Sequence, residues 1–348
     1  MSELKNKFAR KVTLKDIARA AGVGAATVDR YLNSRSQVKQ ATADKIRTAM
    51  TTLNYQGAGQ HGSLAMVAGK TIRIGMIVPR VEGSIYEMLT QQIIQGLSQH
   101  YQQEVVPVMV DCDIRDLNTV SATIIRLAKE VDVLGMVVLD DPQVKLAISK
   151  AADHGARIFT LFSPLSHSGQ IAHIGLDDRK AGRAAAWLAQ RLSGEQLNIA
   201  IFQGNNRFLC QEDCESSFRS WFREQNLRPQ ITGPLHTLED VRYAEIQTDK
   251  LLQEHPELNL IYAPCGGVGG IIDSLRNHPR KDEIFMICHG PFVGWEQALV
   301  DGTVDVIIYQ DLTTVCGLIS RLLDEPAGQS GMVRYLPLEF SIKIRESL

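Results

Sequence analysis

Nowhere in the 348 residues does an apolar run reach the length of a bilayer-spanning helix, and the first residues hold no apolar core of the kind a secretion leader needs. Both absences point to a cytoplasmic protein without a membrane partner. The six cysteines (112, 210, 214, 265, 288 and 316) include no Cys-x-x-Cys pair, so neither a disulfide framework nor a zinc knuckle is implied, and reduced thiols are expected. No Ser/His/Asp set or pair of carboxylates can be assembled from spacing, which argues against an enzyme. No cofactor or metal is implied either. Net charge is low as well, at −2, but this conceals a division. Residues 1–60 carry eleven Lys/Arg against four Asp/Glu, whereas the remainder carries 26 against 35. A basic head suits contact with phosphates, and an acidic body limits nonspecific adhesion.

What is present is concentrated in residues 12–55, VTLKDIARAAGVGAATVDRYLNSRSQVKQATADKIRTAMTTLNY. Thr13 is a helix cap with Asp16 three residues on, and Leu14, Ile17, Ala18 and Ala21 then fall on one helical face. Gly22 breaks that helix. Gly24 can cap a second helix over 25–32, and a third, over 40–54, turns Ile46, Ala49, Met50 and Leu53 toward the same small core. Two short helices in this relation place the start of the second in the DNA major groove. In VTLKDIARAAGV, TV-R, LN and AM-LNY the segment resembles the lactose-repressor (LacI/GalR) family of transcription regulators.

That resemblance implies a DNA-facing set comprising Thr13, Leu14, Lys15, Gly24, Ala25, Ala26, Thr27, Asp29, Arg30, Asn33, Lys39 and Thr42. Two departures from the family pattern matter. Asp29 stands where relatives generally carry Ser, and a carboxylate there repels phosphates unless paired, although it can accept from a cytosine amino group. Ala25 and Ala26 stand where many relatives extend longer base-reading side chains, so direct readout falls on Arg30, with Thr27 on phosphate.

Residues 56–69, QGAGQHGSLAMVAG, read as a linker. Relatives form a hinge helix here that wedges a Leu into the minor groove. Only 63–68 looks helix-competent, with Leu64, Met66 or Val67 as possible wedges, and three glycines oppose helix formation before it, leaving a wedge and a plain tether as alternatives.

Beyond Lys70, apolar runs (IRIGMIVP, EVVPVMVD, VLGMVVLDD, RIFTLFS, LNIAIFQG, LNLIYAPCG, EIFMICHG, VDVIIYQD) alternate with amphipathic stretches such as 85–101, 118–131, 179–192, 212–225 and 243–255. This alternation predicts an α/β body of parallel sheets with helices on both faces, and ligands bind beyond the C-terminal ends of such strands. The resemblance supplies the arrangement: a headpiece (1–56), a hinge or linker (57–70) and an effector-binding, dimerising domain (71–348). The last is like a type I periplasmic binding protein, with two Rossmann-like subdomains, 71–172 with 291–320 and 173–290 with 321–348.

Strand ends then nominate the cleft wall: Arg80, Glu82, Tyr86, Asp140, Asp141, Ser163, Asp177, Asp178, Arg207, Cys265, His289, Gln310 and Asp311. Carboxylates and amides there suit a polyol, with aromatics against the sugar face. Family members often clamp sugar hydroxyls with an Arg where this chain has Cys214, and carry Asn-Asp where it has Pro264 and Cys265. A simple hexose effector is correspondingly less secure. Gly266–Gly270 either cradles a phosphate or is a turn required for close packing. The cysteines either line the pocket or form a thiol or soft-metal sensor. The leading expectation is a homodimeric, cytoplasmic repressor that binds operator DNA under control of a sugar-like or polyol-like effector. A free-standing solute receptor is the alternative of another class.

Overall fold

The computed structural model describes residues 13–32, 42, 43, 45, 46, 48, 49, 71–100, 104–166, 168–192, 196–324 and 333–348. Asn33, Lys39, Leu64, Met50, Leu53 and the linker over 57–70 lie outside them. The chain divides between Lys70 and Thr71 into two compact units.

In the first unit, helix α1 (Leu14–Ala21) starts where the Asp16 carboxylate accepts from the Thr13 N–H at 2.9 Å and from its hydroxyl at 2.6 Å. It ends at Gly22, whose φ of +66° is the left-handed conformation that lets the Val23 N–H reach back to the Ala18 carbonyl at 3.0 Å. Helix α2 (Ala25–Leu32) opens on the Gly24 carbonyl, which accepts from the Thr27 and Val28 N–H groups at 2.9 and 3.1 Å. Residues 42, 43, 45, 46, 48 and 49 are helical. Ile17, Val28 and Ile46 are fully buried together with Ala18, Ala21 and Ala49, while Leu14, Val23 and Tyr31 pack around them. A core this small stabilises its unit only modestly.

The second unit contains two six-stranded sheets. The first has the order β2-β1-β3-β4-β5-β11, all parallel, from β1 (Ile72–Pro79), β2 (Val105–Cys112), β3 (Val133–Met136), β4 (Arg157–Leu161), β5 (Ala172–Gly175) and β11 (Arg334–Pro337). The second repeats the pattern as β7-β6-β8-β9-β10-β12, from β6 (Asn198–Gln203), β7 (Gln230–His236), β8 (Leu260–Ala263), β9 (Phe285–Gly290), β10 (Val306–Gln310) and an antiparallel edge, β12 (Phe340–Lys343). Central strands such as β3 and β8 are buried throughout, because helices cover both sheet faces; they therefore read as continuous apolar runs.

Helices α3 (Ile85–His100), α4 (Leu117–Glu130) and α5 (Pro142–Asp153) follow strands of the first sheet. Helices α6 (Asp178–Leu192), α7 (Leu209–Glu224), α8 (Val241–Glu254), α9 (Val268–Arg276) and α10 (Trp295–Val300) accompany the second. Helix α11 (Leu312–Asp324) leaves β10 but packs against α3, with the Cys316 thiol 3.6 Å from the Gln92 carbonyl.

The chain thus passes between the sheets three times, after β5, after β10 and between β11 and β12. This departs from the expected division in three places: β5, at 172–175, runs past residue 172 within the first sheet, β10, at 306–310, belongs to the second sheet, and β11, at 334–337, to the first. The expected division assigned whole segments to one subdomain, whereas the chain crosses between a strand and the helix or strand that follows it. One apolar core continues from the first sheet onto one face of the second, through Phe218, Phe222, Tyr262 and Ile308; the opposite face has its own core around Phe202, Ile271 and Met286.

Candidate functional site

In the headpiece, Gly24, Ala25 and Ala26 are exposed at the start of α2, while Val28, one turn on, is buried in the core. The helix therefore turns its N-terminal end outward, as groove reading requires. Lys15 and Thr13 are exposed, and Leu14, Thr27, Asp29 and Thr42 are half-buried. The hydroxyl of Thr13 already donates to Asp16, so a phosphate would find it an acceptor only. Arg30 lies on α2.

In the second unit, a cleft opens beyond the C-terminal ends of the two sheets, with about 780 Å³ of empty space, mouth included. Both sheets reverse strand order at β1/β3 and β6/β8, and it is there that loops diverge and leave a crevice. The loop after β1 supplies Glu82 to Tyr86, the end of β4 supplies Phe162, and the start of α6 supplies Asp178. From the other sheet come Cys210, Gln211 and Cys214 on α7, residues 264–269 after β8, His289 to Phe292 after β9, and Gln310 at the end of β10.

Glu82, Tyr86, Asp178, Cys265, His289 and Gln310, expected from strand ends, and Cys214, expected from the family resemblance, are brought together here. Ser163 is buried beside Cys210 and is not part of the lining. Six expected residues lie elsewhere: Arg80, Asp140, Asp141, Asp177, Arg207 and Asp311, the last accepting the Thr313 N–H at 2.9 Å. Arg80 is on the surface, paired with Asp111 at 2.5 Å. Asp140 accepts from Ser166 at 3.0 Å and pairs with Lys145 at 3.3 Å. Asp177 accepts the Lys180 N–H at 3.0 Å near the start of α6, and its successor Asp178 faces the cleft instead. Arg207 pairs with buried Asp141 across the two subdomains, and its carbonyl accepts the Asp140 N–H at 3.0 Å. Each follows a strand as expected, but a strand end opens onto an arc of directions, and these side chains meet neighbouring elements instead.

Several cleft residues carry no signal in the pattern. Phe162 and Phe292 read as ordinary apolar residues. Glu239 reads as a loop acid before the Asp240 cap of α8, yet it is 5% exposed and sits against the cleft floor. Its Oε1 accepts from the Gln211 amide at 2.9 Å and the Gly266 N–H at 3.2 Å, while Oε2 is buried without a partner. Burial raises its pKa above the usual carboxylate range, against the lowering effect of those two donors. A Cβ on Gly204 or Gly266 would overlap this carboxylate, and one on Gly270 would overlap the Val241 carbonyl. Of the two roles open to the Gly266–Gly270 loop, close packing is the one the geometry shows.

The Tyr262 hydroxyl lies 3.1 Å from His289 Nε2, on a ring stacked against Phe218. Burial lowers the His289 pKa to about 3, so the imidazole is neutral at physiological pH. Asp178 is held well above the ordinary range by burial, then by Asp213 and Asp177. Burial pushes the Cys210, Cys214 and Cys265 thiols up, which makes them poor thiolates and suits them to line a wall. Among the described residues no group of three or more His, Cys, Asp and Glu is placed to hold a metal ion.

A small helical head in the same chain as a two-sheet α/β body with a cleft at its strand ends defines a class of protein. Residues 13–57 match the lacI family of bacterial regulatory proteins and residues 74–324 match the periplasmic binding protein domain family. The chain belongs to the periplasmic binding protein domain family through its body, and its head carries a match to the lacI family. Among curated relatives, the transcriptional regulator MalR of Streptococcus pneumoniae is 32% identical over 149 residues, 39% of this chain and 42% of its own length. The regulator TreR of Escherichia coli is 33% identical over 101 residues, 29% of this chain and 30% of its own. The matched stretches therefore span less than half of these relatives. An ABC transporter solute-binding protein from Burkholderia graminis, solved with D-arabinose, superposes with a TM-score of 0.68 at 18% identity, covering 79% of this chain and 96% of that one. The glucose-galactose binding protein GanP of Geobacillus stearothermophilus gives 0.67 at 16% identity, covering 80% and 99%. At such identities the likeness is one of fold.

Proposed function

We propose that this chain is a sequence-specific DNA-binding transcriptional regulator, a repressor, whose operator affinity is set by a small sugar-like or polyol-like effector held in the cleft. The observation that carries this reading is the conjunction, in one chain, of an outward-facing α2 start with a hydrogen-bonding, aromatic-lined cleft between two sheets. Relatives named as regulators support the first half, and neighbours solved with sugars support the second. The protein works in the cytoplasm as a homodimer, so that two headpieces meet the half-sites of a pseudo-palindrome. No helix among the described residues is long and apolar enough to cross a membrane.

The effector acts by preferring one cleft conformation over another, and the operator must bias the same equilibrium, so each changes the other's affinity by the same factor. The test is to select duplexes bound by the full chain from a random pool and then titrate the selected site with and without a panel of sugars, polyols and nucleosides. A two-fold-related site and at least one compound that shifts its midpoint are expected. Selection without enrichment would overturn the operator, and enrichment without any responsive compound would overturn the effector.

A further inference from the structure

Among the described residues the cleft lining includes two acids, Glu82 and Asp178, and no lysine or arginine. Asp178 has no cation of its own, because its neighbours are engaged elsewhere: Arg179 with Asp213 at 3.1 Å and Lys180 with Asp177 at 3.2 Å. Gln310, more than nine-tenths buried, lines the cleft with an Oε1 that lacks a partner. Beneath the floor, Glu239 keeps a second unpartnered oxygen. The site therefore has a surplus of acceptors.

Helices α3, α7 and α9 begin at this cleft, and helix starts ordinarily attract anions. One amide in the loop before each of them is already engaged by this chain's own groups. Glu87 accepts the Gly83 N–H at 3.1 Å before α3, and Glu239 accepts the Gly266 N–H at 3.2 Å before α9. Gln211 Oε1 takes the Gly204 N–H at 2.6 Å in the loop leading to α7. An incoming phosphate or carboxylate would meet the carboxyl groups of Glu82 and Asp178 and a neutral His289, with no lysine or arginine in the lining to pair with. The aromatic rings of Tyr86, Phe162 and Phe292 offer apolar faces and, to a cation, their π-surfaces.

Taking the cleft to be the effector site, we propose that its ligand carries no negative charge and is rich in hydrogen-bond donors, and that an ammonium group set against Asp178 gives the tightest binding. Sugar phosphates and sugar acids are excluded; a hydroxylated amine is preferred over the parent polyol.

The test is calorimetry of the full chain with glucose, galactose and mannose, each as the parent hexose, the 2-amino-2-deoxy form and the 6-phosphate. Within every set that binds, the amino form should bind about ten-fold more tightly than the parent, because a hydrogen bond to a charged group is worth about twice a neutral one. The phosphate should give no detectable heat. Asp178→Asn should bring amino and parent forms to within about two-fold of each other. Gln310→Lys, which adds a cation to the wall and leaves Asp178 intact, should admit the phosphate. A 6-phosphate that binds the unaltered chain, or parity of amino and parent forms there, overturns the charge preference alone. A panel in which no sugar binds and none alters operator affinity overturns the effector site itself, and this preference with it.

Discussion

Arg30 has few competitors for base reading, because Ala25 and Ala26 present only methyl groups at the exposed start of α2. A methyl group can favour thymine, whereas an arginine fork can pair with both acceptors of guanine. Arg30→Ala should therefore weaken operator binding by about 1–3 kcal/mol and flatten the preference at one base pair per half-site. Titration against single-base operator variants measures this, and an unchanged preference would move base reading elsewhere. Glu239 acts on stability. Its folded pKa is raised, so the stabilisation it allows is fully present below the unfolded carboxylate value and is lost as pH rises through the folded one. Glu239→Gln keeps an oxygen for Gln211 and Gly266 and removes the titration. The variant's melting temperature relative to the parent should rise from pH 5 to pH 8, and a difference that stays flat would show that the carboxyl does not titrate in that range. The pattern left Glu239 illegible because a loop acid before a helix cap is ordinarily solvated. Its burial follows from two glycines, distant in sequence, that leave room for it.

At the level of elements, α8 and α9 form a pair whose separation is set by Gly270, where a Cβ would overlap the Val241 carbonyl and the Glu245 N–H. Backbone cannot swing aside as a side chain does, so Gly270→Ala must part the helices. The expected cost is about 1–3 kcal/mol, seen as a fall of several degrees in the melting temperature of the body. Because the same helix start carries the cleft loop 264–269, effector affinity should fall as well. A thermal scan within about 1 °C of the parent would show that the pair tolerates the methyl group. Strands such as β1 were legible because burial on both faces demands an unbroken apolar run. Strand β5 was not, since AHIG is only four residues long, and neither was β7, which is a largely exposed edge interrupted by Gly233 and Pro234. Edges need few apolar residues and leave little periodicity to read.

For the body as a whole, the contacts that bridge its two subdomains at the cleft matter more than any one wall residue. Arg207 reaches from the loop after β6 to Asp141 at the start of α5, its carbonyl holds the Asp140 amide, and the Val293 N–H meets the Gly83 carbonyl at 3.0 Å. Asp141 is only 7% exposed in its side chain, so losing the partner leaves a buried carboxylate, although Arg207 itself is half in solvent and the pair is screened on that side. Arg207→Ala should open the cleft more often, speed exchange of the Asp140 amide and weaken effector binding several-fold, in proportion to the lost closed population. Hydrogen exchange and calorimetry on the same sample test both effects. Unchanged exchange at Asp140 would show that the ion pair is not a clasp.

The sequence by itself determined the first two helices of the head, because they are built from local caps, a left-handed glycine and one short-range apolar face. It also determined the parallel α/β character of the body, because strand and helix periods are local properties. It placed Tyr86, Cys265, His289 and Gln310 among the cleft candidates through their positions at strand ends, and Cys214 through the family resemblance. Only the tertiary structure decided which strand belongs to which sheet, that Asp178 rather than Asp177 faces the cleft, and that Asp140 and Arg207 hold the subdomains together instead of lining it. Those outcomes depend on three crossings of the chain and on the direction in which each loop leaves its strand. Such directions are set by packing between segments distant in sequence, 66 residues apart for Arg207 and Asp141, and a one-residue change of direction turns a carboxylate from a cleft wall to a neighbouring lysine.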